Sequence, residues 1–197
     1  MLKIALIIGS TRPQRFADTP ARWIQEGAAG RHDLQLETLD LREQNLPLFQ
    51  EPASPTRTKG VFTTAAAEAW RSKLARYDGF IATVAEYNHG PTGALKNAFD
   101  SALLEWARKP IAFVGYGSVG GARAIEHLRG VAIELQMVPI KFEVNIGVEH
   151  YAGVLREGKS LNDYQSLEQA RTAMFNDLLW WARTLKPARE QTAAQAA

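Results

Sequence analysis

Apolar and polar positions are arranged in blocks along this chain. Residues 4–8, Ile-Ala-Leu-Ile-Ile, make an unbroken run stopped by Gly9, the pattern of a strand covered on both faces of a parallel sheet. Residues 80–84 and 111–115 repeat it. Residues 34–41 and 138–146 alternate apolar and polar side chains instead, which suits strands covered on one face. Between these runs, apolar residues recur three or four apart over 19–29, 63–76, 92–107, 122–135 and 166–185, predicting five helices. Strand and helix alternate throughout. That order predicts one α/β domain over residues 1–187, with a doubly wound sheet of about five strands joined by crossover helices.

Three stretches break the pattern. Residues 45–60 carry Pro47, Pro52 and Pro55 and read as a long surface loop, a class that is often functional. Residues 147–163 read as a second irregular stretch. The small, Ala/Gln-rich residues 188–197 after Pro187 read as a frayed tail.

Composition narrows the chemistry. The chain has 197 residues, none of them cysteine, which excludes a thiol nucleophile, a disulfide framework and Cys-ligated zinc. Its formal net charge of +2 comes without a dense Lys/Arg block, so no nucleic-acid partner is expected. No apolar run approaches the roughly 20 residues of a membrane span, and the first run is too short for a signal-peptide core. A cytoplasmic protein is expected. His32, His89, His127 and His150 show no metal-ligand spacing.

Ligands of open parallel sheets bind beyond the carboxyl ends of the strands, and three such ends are rich in ligand-contacting groups. The first is Gly9-Ser10-Thr11-Arg12-Pro13-Gln14-Arg15. Its hydroxyls, guanidinium forks and small first residue suit one phosphate at a helix N-terminus, or else a solvated turn. After the third run comes Ala85-Glu86-Tyr87-Asn88-His89-Gly90, then Pro91-Thr92-Gly93-Ala94-Leu95-Lys96-Asn97-Ala98-Phe99-Asp100. An aromatic face beside an amide suits a flat heterocycle. The alternative is an N-capping loop, with Thr92 as cap and Lys96/Asp100 as a surface pair.

After the fourth run, Gly115-Tyr116-Gly117-Ser118-Val119-Gly120-Gly121 matches G-x-G-x-x-G. It does not follow the first strand of its unit and has no clear acidic ribose partner. A glycine-rich turn that a planar ring can approach is the better account. Gly153-Val154-Leu155-Arg156-Glu157-Gly158-Lys159-Ser160 satisfies G-x-x-x-x-G-K-[ST]. It follows no buried strand directly, and Glu157 would stand beside the phosphates.

Taken together, Gly9-Ser10-Thr11-Arg12-Pro13, Glu86-Tyr87-Asn88 with Leu95-Lys96-Asn97-Ala98, and the glycines of 117–121 resemble the NADPH-dependent FMN reductase family over about residues 1–185. The resemblance implies a flavodoxin-like three-layer sandwich with a five-stranded parallel sheet of order 2-1-3-4-5. It implies FMN and NADPH as cofactors, with the phosphate on Ser10, Thr11, Arg12 and Arg15. Glu86, Tyr87, Asn88 and His89 would hold the ring and ribityl region, and Gly117, Gly120 and Gly121 the other ring edge. No essential acid or base is implied: hydride passes from NADPH to the flavin, and two electrons go on to a quinone, an azo compound, a metal oxyanion or free flavin. A homodimer or homotetramer is implied, with the helix over 95–106 as a contact surface, and residues 45–60 are expected to wall the ring face. Two positions depart from the family pattern: Ala85 stands where a proline is usual, and Thr92 follows Pro91 where the later proline is expected. The competing readings are a flavodoxin-type electron carrier, a class that is commonly acidic where this chain is mildly basic, and a flavin-free scaffold.

Overall fold

The computed structural model describes the backbone of residues 1–196 and the side chains of residues 1–192. Strands β1 (Leu2–Ile8), β2 (Leu34–Asp40), β3 (Gly79–Ala85) and β4 (Pro110–Tyr116) lie parallel. Two short strands, β5 (Val138–Pro139) and β6 (Val144–Ile146), both pair with β4. The order β2-β1-β3-β4-β5 is the doubly wound arrangement expected.

The predicted fifth strand is present in two pieces. Pro139 has no N–H to give a ladder, and Arg129 reaches the carbonyls of Ile140 at 2.8 Å and Lys141 at 3.4 Å. The guanidinium thus satisfies the acceptors that strand pairing would otherwise take.

Side chains alternate between two cores along the strands. Ile4, Leu6 and Ile8 face helices α1 (Asp18–Ala29) and α7 (Gln165–Ala196). Ala5 and Ile7 face the other layer, α3 (Ala65–Leu74), α4 (Gly93–Asp100) and α5 (Ala122–Glu134). This is the three-layer sandwich with both sheet faces buried. A one-turn helix, α2 (Leu41–Gln44), follows β2 and is capped by the Asp40 side chain.

Three sequence expectations change. The helix expected over 92–107 ends at Asp100, where Ser101 Oγ turns back to the Asn97 carbonyl at 2.7 Å. Trp106 then folds its fully buried indole onto the helix end, donating Nε1–H to the Phe99 carbonyl at 3.1 Å. The irregular stretch 147–163 contains helix α6 (Val148–Glu157) and a 3₁₀ turn (Leu161–Asp163). Gly153, the first residue of the G-x-x-x-x-G-K-[ST] match, lies inside α6 rather than after a strand.

The frayed tail expected over 188–197 is helical in its described part. Chain α7 continues through Pro187, whose ring nitrogen leaves the Arg183 carbonyl without its helical donor. Beyond the proline, Arg189 bonds Asp78 Oδ1 at 3.1 Å, which ties the helix end to the sheet. Residue 197 lies outside the described residues.

Candidate functional site

The register aligns the carboxyl ends of the central strands. Ile8 lies beside Thr83 in β3, and Tyr116 beside Ala85 on one side and Ile146 on the other. The loops that follow β1 and β3 are knitted together directly. Gly9 donates its N–H to Thr83 Oγ1 at 3.1 Å, and its carbonyl accepts from Thr92 Oγ1 at 2.5 Å. A Cβ on Gly9 would stand 2.3 Å from the Thr83 carbonyl, so only glycine lets the chain leave β1 this close to β3. Thr92 also caps α4, accepting from Leu95 N–H at 3.0 Å. One hydroxyl, at the position that departs from the family pattern, therefore fixes both loops.

A cavity of about 250 Å³ opens at this edge, lined by Ser10, Arg12, Gln14, Arg15, Phe16, Ala85, Glu86, Tyr87, Tyr116, Gly117 and Tyr151. Its chemistry is divided. At one end the buried Ser10 hydroxyl is 2.9 Å from Tyr87 Oη, and the Arg12 guanidinium lies 5.8 Å from the Tyr87 ring centre. Arg12 is exposed and forms no ion pair among the described residues. Helix α1 begins beside it, and its N-cap Ala17 provides no side-chain cap. In the first turn of α1, Thr19 N–H is taken by the Phe16 carbonyl at 2.9 Å and Pro20 has no N–H, so the Ser10 hydroxyl and the uncommitted Arg12 guanidinium are the groups at this end that could meet an anion.

At the other end the walls are aromatic. Phe16 packs on Tyr116 with ring centres 5.5 Å apart and on Tyr151 at 4.5 Å. Burial pushes the Tyr116 phenol well above its usual range, against the hydrogen bond from Ser10 that lowers it. The phenol therefore stays protonated and remains a hydrogen-bonding group.

Arg15 does not reach for an anion. Its guanidinium gives Nη1 and Nη2 to the two Asp40 oxygens at 2.7 and 2.5 Å, Nε to Asp18 at 2.8 Å and Nη1 to the Ser10 carbonyl at 2.6 Å. The side chain is 3% exposed. Burial alone would raise the Asp40 carboxyl, but hydrogen bonds from Arg15 and the Arg42 amide hold it below its ordinary value. The same bond to Asp40, reinforced by Asp18, outweighs burial and raises Arg15 further. Arg15 thus shapes the loop that presents Ser10 and Arg12. Thr11 is exposed and outside the cavity lining.

Glu86 is likewise committed within the protein. Its carboxylate, 4% exposed, accepts from the Arg123 amide at 3.2 Å and from Arg123 Nε at 2.6 Å. That pair joins the third loop to the start of α5. Asn88 and His89 occupy a tight turn, with φ of 51° and 69°, closed by reciprocal backbone bonds between Tyr87 and Gly90 at 2.9 and 3.0 Å. Positive φ at both central residues is the primed hairpin geometry that Asn tolerates. Both side chains lie outside the cavity lining, and His89 Nε2 meets Arg123 Nη1 at 2.9 Å. An arginine can only donate, so Nε2 is the acceptor in this contact.

The three glycines divide. Gly117 lines the cavity at φ 147°. Gly120 and Gly121 are buried at φ 67° and 75°, where a Cβ would meet Asn145 at 2.6 Å and Gly115 at 2.8 Å. Their part is to fold the loop back against β4 and β6.

Five lining residues lie outside the sequence-derived set: Gln14, Phe16, Ala85, Tyr116 and Tyr151. Tyr116 was legible as the residue directly after the fourth unbroken apolar run, Gln14 as a member of the first loop and Phe16 as its neighbour. Tyr151 sits on a helix that the sequence pattern did not reveal. Residues 45–60, expected to wall the ring face, contribute nothing to the cavity. They lie over α4, where Asn97 donates to the Pro47 carbonyl and accepts from Phe49 N–H, both at 2.8 Å. No helix among the described residues is long and apolar enough to cross a membrane.

The chain is 38% identical over 141 residues to an NAD(P)H-dependent FMN reductase of Nectria sp, covering 70% of each chain. It is 32% identical over 144 residues to a 2-hydroxy-1,4-benzoquinone reductase of Burkholderia sp, covering 70% of this chain and 73% of that one. Its fold matches the flavoenzyme NAD(P)H:(acceptor) oxidoreductase FerB of Paracoccus denitrificans with a TM-score of 0.71 at 19% identity, over 94% of this chain and 99% of that one. The model of the NADPH-dependent FMN reductase family matches residues 2–150. With its sheet order and this match over most of its length, the chain belongs to the NADPH-dependent FMN reductase family.

Proposed function

We propose that the protein oxidises NAD(P)H through FMN held in the cavity at the carboxyl edge of the sheet, and passes two electrons to a small quinone-type acceptor. The observation that carries this reading is the joining, in one cavity, of a cationic, hydroxyl-lined end at Ser10 and Arg12 to an aromatic end at Phe16, Tyr116 and Tyr151. The residues fit an FMN whose phosphate lies at the first end. Bound there, FMN supplies two-electron chemistry: it accepts a hydride from NAD(P)H and, with a proton from solvent, reduces a quinone to the hydroquinone.

Each side chain has a distinct part in this. Arg12 neutralises phosphate charge, and the Ser10 and Tyr87 hydroxyls complete its hydrogen bonding. Arg15 and Asp40 keep the loop in the shape that presents them. The Tyr116 phenol, held protonated by burial, can donate or accept at a cofactor oxygen. At about 250 Å³ the cavity is smaller than the roughly 300 Å³ of a pocket that encloses a drug-sized ligand. That size favours a ring face left open to donor and acceptor in turn. A quinone is the preferred acceptor because a flat ring can stack where the nicotinamide did; azo compounds, metal oxyanions and free flavin rank below it. A homodimer or homotetramer in the cytoplasm fits the need for reduced nicotinamide and the exposed apolar Leu48, Val61 and Leu104.

The test is an absorbance spectrum of the protein loaded with FMN and desalted, repeated after anaerobic addition of NADPH. Retained flavin bands that bleach, and recover when a benzoquinone is added, are expected. Bands that fail to bleach would mean an electron carrier; protein that binds no FMN in a titration would overturn the cavity assignment.

A further inference from the structure

The family match ends at residue 150, yet the cavity has a wall contributed from beyond it. We propose that Tyr151, carried on helix α6, is a positioning residue that closes the aromatic end of the cavity and retains the bound flavin. This rests on the FMN reading above and goes beyond it, because it assigns cofactor retention to a side chain that the loops following the strands do not supply.

Three observations converge. Tyr151 lines the same cavity as Ser10 and Arg12. Its ring packs at 4.5 Å on Phe16, which packs on Tyr116, so an aromatic series runs from β4 through the first loop to α6. Helix α6 is itself lightly held. Gly153 is its one fully buried residue, and Val148 and Leu155 are each 58% exposed.

The helix is fixed at its middle and bounded by a glycine at each end. Gly153 approaches so near the Tyr164 hydroxyl that a Cβ would lie 1.9 Å from it, and His150 Nδ1 accepts the Gly147 N–H at 3.2 Å. At the helix ends stand Gly147, with extended backbone, and Gly158, at φ 68°. A segment with so little buried surface opens at low free-energy cost. While it is closed, the Phe16–Tyr151 contact covers the apolar end; for a ligand to leave past it, that contact must break. Retention therefore depends on an aromatic face at residue 151 rather than on its hydroxyl.

Flavin binding and release, read by FMN fluorescence with wild-type apoprotein, test this. Tyr151→Ala should raise both the FMN dissociation constant and the release rate about tenfold, the order expected for loss of an aromatic packing partner. Tyr151→Phe should restore both to within twofold of wild type. Leu155→Ala, on the exposed face of the same helix, should change neither. Tyr151→Leu keeps the bulk, guards against a folding failure of the alanine variant, and should weaken binding in the same direction. Wild-type binding with unchanged constants in the alanine and leucine variants overturns the role of Tyr151 alone. A wild-type chain that does not quench FMN overturns the flavin reading and this proposal together.

Discussion

The two edges of the sheet are built to opposite specifications. At the amino edge, the buried Asp78 takes the Lys3 amide and Lys186 Nζ on one oxygen, both at 3.0 Å, and Arg189 on the other at 3.1 Å. Nearby, Lys109 gives its buried ammonium to the Leu74 carbonyl at 3.0 Å, closing the end of α3. These bonds join β1, α3, β4 and α7 with every partner committed. Left-handed backbone occurs at both edges, at Arg108 and Gln136 before β4 and β5 and at Gln14, Asn88, His89, Gly120 and Gly121 at the carboxyl edge. There Arg12 stands uncommitted, and a lightly held helix covers the cavity. Cohesion is concentrated at the amino edge, and unmet hydrogen-bonding and charge capacity at the edge proposed to hold the flavin.

Breaking the amino edge should have the largest effect, and it should be confined to stability. Asp78→Ala leaves Lys186 and Arg189 beside each other without their shared carboxylate. Loss of one member of such a buried cluster costs about 3 kcal/mol. Urea denaturation should show that loss while the FMN dissociation constant stays within twofold. A large change in FMN affinity would show that the two edges are coupled.

The carboxyl edge should separate two arginines that look alike in sequence. Arg12→Ala removes a charge-assisted contact to phosphate and should weaken FMN binding by about 2 kcal/mol, roughly 30-fold, with the denaturation midpoint unmoved. Arg15→Ala should lower stability by a similar amount even without flavin, since it strips the half-buried Asp40 of its partner. If Arg12→Ala destabilised the apoprotein and Arg15→Ala did not, the assignment of presenting and supporting roles would be reversed.

Acid should reach the same support. The Asp40 carboxyl titrates below its ordinary value in the folded protein. Its contribution is therefore complete above the unfolded value of about 3.9 and disappears as pH falls through the lower folded one. Stability should drop in that window, and Asp40→Asn should flatten the drop while lowering stability at pH 7. A variant whose acid transition matches wild type would exclude Asp40 as the acid-sensitive support.

How far these contrasts were legible in the sequence depends on range. β1, β3 and β4 announced themselves because strands covered on both faces need unbroken apolar runs, as at residues 4–8. Ser10, Arg12 and Tyr87 were legible for a related reason: a ligand at a strand end draws on residues contiguous with that strand. Arg15 and Glu86 were equally visible, but their partners Asp40 and Arg123 lie 25 and 37 residues away. Sequence alone shows an available charge and not the ion that already occupies it. Tyr151 was missed although Val148, Tyr151, Ala152 and Leu155 recur at helical spacing, because Gly147, Gly153 and Gly158 punctuate the segment as a loop would. Pro187 misled in the opposite direction: a helix breaker by local chemistry, it is overridden by the pairing of Arg189 with Asp78.

The smallest effect returns to the amino edge. Burial, reinforced by the positive charge of Arg189 and only partly opposed by Asp78 and Glu105, lowers the Lys109 ammonium to about 8. An unfolded lysine titrates near 10.4, so between these values the unfolded chain holds more protons and stability rises with pH. Over the single unit from pH 8 to 9 this amounts to about 1 kcal/mol. Lys109→Met removes the titrating group, so the difference in unfolding free energy between wild type and variant should move in favour of wild type by about that amount across the unit. Groups that titrate alike in both proteins cancel in the difference. A difference that stays flat would mean that Lys109 keeps its charge through this range, and that its bonds to the end of α3 outweigh its burial.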